Sequence, residues 1–308
     1  MPATSSQPRA LIVGASGQLG TALTQQLGSR ALPAARRQLD PAWLPLDLEQ
    51  IATNPSLLDV LFDQHNITAV YCAAGATDVE RCESDHAWAA AANHLGPLAL
   101  ARAARHIPFA FYSTDYVFDG RESPGHSAGP YAESDKPNAL SVYGRTKLDG
   151  ERAILEAHPQ ALVLRTTTVY GPDPQGKNFL YTLSRVIRSG GTMRVPIDQL
   201  ATPVYNTDLA AASIALVEGG HTGIFHLAGP DFLSRYDFSL QACAILGLPT
   251  AQVVGLTTPE LNQKAARPLL GGLRIDTLTA TLPSIPMRSV ATGIADWKAS
   301  QAEAAVTA

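Results

Sequence analysis

Cysteine is scarce in this 308-residue chain. There are three, Cys72, Cys82 and Cys243, widely spaced and without a CxxC pair. An odd, scattered set excludes a disulfide framework and a zinc site of familiar spacing. The eight histidines contain no close pair of metal-ligand spacing either, so no metal is expected. Charge of one sign is also in short supply. The formal net charge is −4 with 16% charged residues, which offers nothing to hold a nucleic acid or an anionic membrane. No apolar run reaches the roughly 18 to 20 uninterrupted residues of a membrane span. The opening "MPATSSQPRA" lacks the basic start and apolar stretch of a signal peptide. A cytoplasmic location is the expectation. What remains is a hydrophobic fraction of 45% in a chain long enough for one large domain or two modest ones.

The first half alternates two hydrophobic periods. "ALIVGA" (10–15) is a continuous apolar run, as in a strand buried on both faces of a parallel sheet. Leu19, Leu23 and Leu27 follow at i, i+4 spacing, one face of a helix that stops at Gly28. Further strands are predicted through 32–36, 68–76, 107–114 and 161–166, with helices over 86–106 and 138–157. Strand and helix alternating in this way predict an α/β fold with a doubly wound parallel sheet of Rossmann type. Beyond residue 170 proline and glycine become frequent. Helices are predicted at 179–189, 208–219 and 234–247, the last capped by Ser234, with strands at 193–197 and 223–229. The rest, to residue 308, reads as irregular. The expected partition is a dinucleotide-binding domain over 1–170, joined by about 205–228. A smaller interleaved substrate-binding domain takes 171–204 and 229–308.

"GASGQLG" sets Gly14, Gly17 and Gly20 between a buried strand and an amphipathic helix. In such a turn the first glycine permits the tight bend, the second a close backbone approach to a pyrophosphate, the third close helix–strand packing. The helix N-terminus then offers free N–H groups to phosphates. Ser16, Gln18 and Leu19 belong to the same turn. Arg36 and Arg37 fall just past the second strand. A cation there pairs with a 2′-phosphate, favouring NADP(H) over NAD(H), or is simply a solvated basic pair. In "YGRTK", Tyr143 and Lys147 are four apart and share a helix face. A free phenol titrates near 10, and an adjacent ammonium is expected to pull it down toward neutrality. Thr114 ends the strand of "STDYVFDG" and can polarise a carbonyl. Together the three form a proton-delivery set for hydride chemistry that a dinucleotide would supply. Asp115 and Tyr116 either face the substrate or complete a turn. Cys72 and His226 read as core residues.

These segments resemble the extended short-chain dehydrogenase/reductases, and within them the dTDP-4-dehydrorhamnose reductase type. The likeness extends to "TDVERCE", "AANHLGPLALA" with Asn93, "RTTTVYG", "DQLATPVYNTDLA", "GIFHLAG" and "ARP". It implies NADP(H)-dependent reduction of the 4-keto group of a nucleotide-linked deoxysugar, with Thr114, Tyr143 and Lys147 catalytic. It implies that Asp47, Leu48, Ala73, Ala74 and Gly75 line the cofactor. Thr77, Val79, Asn178, Gln199, Thr202, Pro203 and Arg267 would line the nucleotide-sugar cleft, with Arg267 suited to a diphosphate. A homodimer is implied as well. The pattern's Trp is Thr168 here, its strand-end Asn is Cys72, and Leu270, Gly271 and Leu273-Arg274 replace an Asn, a Ser and a Leu-Asp pair. An epimerase on the same scaffold, or a cofactor-binding regulatory subunit like the β subunit of methionine adenosyltransferase, are the alternatives.

Overall fold

A computed structural model describes residues 9–121 and 129–307. Seven strands, β1 Arg9–Val13, β2 Ala31–Ala35, β3 Leu44–Pro45, β4 Ile67–Cys72, β5 Phe109–Thr114, β6 Leu162–Thr166 and β7 Gly223–His226, form one sheet. Its order is β7-β6-β5-β4-β1-β2-β3, with every pair parallel. The winding reverses between β1 and β4. Loops leaving those two strands part to opposite sides and open a crevice at their carboxyl ends, where ligands bind in such sheets.

Both faces of the sheet are covered, which is why its strands are apolar throughout. On one face Ile12, Tyr71, Tyr112 and Leu164 pack under the helices Gln18–Leu27 and Asn206–Glu218. On the other, Leu11, Val13, Val70, Phe109 and Phe111 meet Ile51, Leu100 and Ile154. Alternate residues of one strand thus serve different cores. A third core gathers Tyr170, Leu180, Ile187, Val195, Phe238 and Trp297 from the later part of the chain.

Several elements depart from the sequence pattern. The helix expected over 86–106 ends at Ala103 and passes through a π turn at Ala91–Leu95. The helix expected from 138 begins at Val142, because the Ser141 side chain accepts from Gly144 N at 3.1 Å and closes the N-terminus there. Asn138 instead bonds Val117 and Asp119. The stretch taken as irregular holds a strand, Val253–Leu256, and an 18-residue helix, Val290–Thr307. Val290, Ile294 and Trp297 form its buried face in the third core. The β4 strand ends at Cys72, leaving Ala73–Gly75 free to turn at the crevice.

The helix Val142–Ala157 is fixed to the sheet by a buried ion pair. Arg165 of β6 donates Nε and Nη2 to the Glu151 carboxylate at 2.9 and 2.7 Å, both side chains being almost fully buried. Removing one partner leaves the other charge unpaired in low dielectric. Glu151→Ala is expected to lower unfolding free energy by about 3–5 kcal/mol. The double change Glu151→Leu, Arg165→Met should recover most of that loss. Chemical denaturation of the two variants checks this, and equal instability of both would contradict it.

Candidate active site

The glycine turn is built by exclusion of side chains. Gly14 takes a φ of +90°, and a Cβ there would lie 2.7 Å from Ala74 N. A Cβ at Gly20 would overlap the Gly14 carbonyl oxygen, so the helix could not sit so close to β1. Gly17, by contrast, would meet nothing nearer than Gly14 O at 3.4 Å, and its open side faces the crevice. The helix Gln18–Leu27 that follows has no side-chain cap and no acidic residue in its first turn. This is the arrangement that receives a phosphate.

From that turn a crevice of about 1050 Å³ runs to Thr114, Tyr143 and Lys147. That is at the upper end of small-molecule sites, as an extended dinucleotide requires. Its walls include every residue expected from the sequence to hold the cofactor: Gly14, Ser16 to Gly20, Arg36, Asp47, Leu48 and Ala73 to Gly75. Asp47 also caps the helix Leu48–Thr53, accepting from Glu49 N at 3.0 Å. Arg36 is committed to Glu49 at 3.1 Å, whereas Arg37 lines the same mouth.

At the inner end, Ser141, by setting the helix start, puts Tyr143 and Lys147 on the face toward β5. Tyr143 lies beside Thr114, whose hydroxyl acts on its phenol, and its ring meets Tyr116 edge-on at 5.5 Å. Thr114 Oγ1 in turn accepts from Tyr116 N at 3.2 Å. Lys147 Nζ donates to the Tyr112 carbonyl at 2.9 Å and lies 4.7 Å over the Phe111 ring. Asn93, fully buried in the π turn, ties the helix to the loop after β4. Its Oδ1 accepts from Ala76 N at 2.8 Å and its Nδ2 donates to Ala76 O and to Thr146 Oγ1.

The electrostatics revise one expectation. Burial raises the Tyr143 phenol above its usual value, and the Thr114 hydroxyl beside it only partly offsets this. The ammonium points back to the strand carbonyl, so the phenol stays protonated at neutral pH. Lys147 is itself pushed down to about 8 by burial, against the pull of Cys72 and Glu151. Asp115 is pushed up to about 6 by burial, its weak acceptance from Gly272 N and from Thr114 only moderating the shift.

The residues expected at the sugar side divide. Asp115, Tyr116, Gln199 and Pro203 line a second, smaller recess next to Thr114, and Thr77 lines the large crevice. Asn178 also faces the large crevice, with its side chain used to cap the helix Phe179–Arg188 and to bond Gln18 and Gly171. Thr202 is turned into the core, where Oγ1 accepts from Leu273 N at 2.9 Å. Val79 packs with Ala76, Cys82 and Tyr143 and lines neither cavity. Arg267 is ion-paired with Glu80 at 2.6 Å. Two residues with no role expected from the sequence stand out. Asn93 carried a weak signal, an amide amid alanines in a helix interior. Arg235, in the smaller recess, carried none. Cys72 and His226 are core residues, His226 Nδ1 bonding the Tyr131 carbonyl.

The family described as "RmlD substrate binding domain" matches residues 8–298. The chain belongs to the RmlD substrate-binding family. A dTDP-4-dehydrorhamnose reductase of Mycobacterium tuberculosis is 38% identical over 262 residues, covering 84% of this chain and 82% of that protein. A probable dTDP-4,6-dihydroxy-2-methyloxan-3-one 4-ketoreductase of Streptomyces antibioticus is 34% identical over 302 residues, covering 96% and 94%. The dTDP-4-dehydrorhamnose reductase structure from Bacillus anthracis, in complex with NADP, superposes with a TM-score of 0.81 at 26% identity, covering 94% of this chain and 98% of that one. RmlD membership agrees with the Rossmann-type sheet and the dinucleotide-sized crevice.

The buried ammonium is a liability to the fold. A folded value near 8 against an ordinary 10.5 means that the unfolded chain binds more protons between those limits. Stability attributable to this group is therefore lowest below pH 8 and recovers as pH rises to about 10.5. Lys147→Met is expected to raise the melting temperature most below pH 8, with the gain fading toward pH 10. Calorimetric scans across that range check it, and a Met variant that melts lower at pH 7 would contradict it.

Proposed function

We propose that this chain reduces the 4-keto group of a dTDP-linked or similar nucleotide-linked 6-deoxyhexose, with NADP(H) as cofactor and NAD(H) as the weaker alternative. The observation that carries this reading is the convergence of Thr114, Tyr143 and Lys147 at the inner end of a crevice whose outer end is the glycine turn. The names and activities of the RmlD relatives support the substrate class.

The residues present fit a dinucleotide. The uncapped helix at Gln18 and the bare Gly17 would receive the pyrophosphate, and Ala73 to Gly75 would floor the nicotinamide ribose. Arg37, with no carboxylate partner among the described residues, would take a 2′-phosphate more readily than the paired Arg36. When bound, the nicotinamide supplies the hydride. Thr114 holds the substrate carbonyl by its hydroxyl. Tyr143, kept protonated by burial, gives its phenolic proton to the carbonyl oxygen as negative charge builds there. The Lys147 ammonium lies next to Gly75, positioned to bond a ribose hydroxyl. Asn93 keeps the cofactor loop and this helix in register.

A purely regulatory role leaves the costly burial of Lys147 without a purpose, so the enzymatic reading is preferred. A cytoplasmic homodimer belongs to the same proposal. NADPH consumption against a panel of 4-keto nucleotide sugars tests it. Tyr143→Phe is expected to lower turnover by roughly 10²-fold or more while leaving NADPH affinity intact; undiminished turnover would remove Tyr143 from the chemistry. Arg37→Ala should raise the KM for NADPH more than that for NADH, and more than Arg36→Ala does. Equal effects on the two cofactors would sink the 2′-phosphate assignment.

A further inference from the structure

The smaller recess, of about 30 Å³, adjoins the catalytic end through Asp115 and Tyr116 and is closed by Thr168, Gln199, Arg235 and Pro268. Its size suits one small group and not a hexose ring. Arg235 reaches it from the first position of the helix Arg235–Leu246. One guanidinium nitrogen, Nη2, donates to Thr168 Oγ1 at 3.1 Å, and the plane lies 4.6 Å over the Phe179 ring. Thr168 and Phe179 therefore hold the fork in place. An arginine has five N–H donors, and this is the one side-chain bond that Arg235 makes among the described residues. Among the described residues no carboxylate forms an ion pair with it: Asp115 lines the same recess and acts on it only at longer range, whereas Arg267 is ion-paired with Glu80.

Both guanidinium groups act on Tyr116, whose ring contacts Tyr143 at 5.5 Å. Arg235 shares the recess with Tyr116, next to the proton donor. A 4-keto sugar held with its oxygen at Tyr143 carries its linking phosphate on the far side of the ring, one ring width away. A partly sheltered cation with most of its donors unused is unfavourable until an anion meets it. The substrate's obligatory anion is its diphosphate.

We propose that Arg235 is the principal diphosphate-binding residue of this chain, presenting its uncommitted guanidinium fork to the group that links nucleoside to sugar. This rests on the nucleotide-sugar reading and adds to it the residue that grips the linkage. Arg267, the cation suggested by its motif, is secondary because its charge is already met by Glu80.

The test is equilibrium binding of thymidine, dTDP and dTDP-glucose to NADPH-loaded full-length protein, with NADPH fluorescence as the check that each variant is folded. Arg235→Met is expected to weaken dTDP by roughly 10- to 100-fold, the scale of a lost charge-assisted pair. Thymidine affinity should stay within about twofold, since it lacks the group being read. Arg235→Lys should regain part of the loss, as a point charge without the fork. Unchanged dTDP affinity in Arg235→Met overturns the proposal. So does a deficit equal for thymidine and dTDP, or one seen only with dTDP-glucose, which would make Arg235 a sugar contact. If the Met variant does not fold, wild-type protein decides, because no preference for dTDP over thymidine at low salt is incompatible with the assignment. Wild-type protein that binds NADPH but none of the three ligands would instead remove the nucleotide-sugar reading itself.

Discussion

A single buried ammonium organises the inner end of the crevice. Lys147 lies under the crevice with one strand carbonyl and one aromatic face for company, and its depressed value measures how unwelcome a charge is there. Keeping it in place demands a helix packed closely on its neighbours. Gly144 and Gly150 make that approach feasible, since a side chain at either would overlap the backbone of Tyr116, in the turn after β5, or of Asn93, in the π turn. Glu151, one turn beyond Lys147 on the same face, anchors the helix to β6 through Arg165. The stripe Tyr143, Lys147, Glu151 thus lines the crevice at one end and anchors the helix at the other.

The rest of the site follows from the sheet's topology. Strands β1 and β4 diverge at their carboxyl ends, which leaves room for a dinucleotide between the glycine turn and Ala73–Gly75. Strand β5 ends in Thr114 beside that opening, and the residues after it, Asp115 and Tyr116, begin the smaller recess. Two cavities meeting at one strand end suit a reaction between two bound molecules. Burial does much of the electrostatic tuning: it keeps the phenol protonated, lowers the ammonium and lifts Asp115 toward neutrality. Local dipoles and partners only moderate these shifts.

Much of this was legible in one dimension because it depends on local spacing. A buried strand, three glycines and an amphipathic helix specify a phosphate turn, and Tyr and Lys four residues apart share a helix face wherever that helix sits. Alternating periods likewise announce a doubly wound sheet. What misled was composition: the proline-rich C-terminal stretch concealed a long helix, although Val290, Ile294 and Trp297 recur at helical spacing. The Tyr143 helix starts at Val142, later than the sequence pattern suggests, because a Ser cap outweighs the propensity of the residues before it.

Other features were decided by contacts between distant segments. Arg36 and Arg37 are neighbours in sequence, yet Glu49 takes one and leaves the other at the crevice. Thr202 and Val79 belong to matching motifs, but Leu273 and the Cys82 cluster engage them away from both cavities. Arg235 carries no motif, and only the packing of Thr168 and Phe179 brings its guanidinium to the smaller recess. By itself the sequence determined the chemistry on offer and the scaffold that presents it, because periodicity and turn geometry are local properties. Which charges stay free, and how strongly burial shifts the phenol and the ammonium, were settled by the tertiary structure, because desolvation and ion pairing depend on what the folded chain brings alongside.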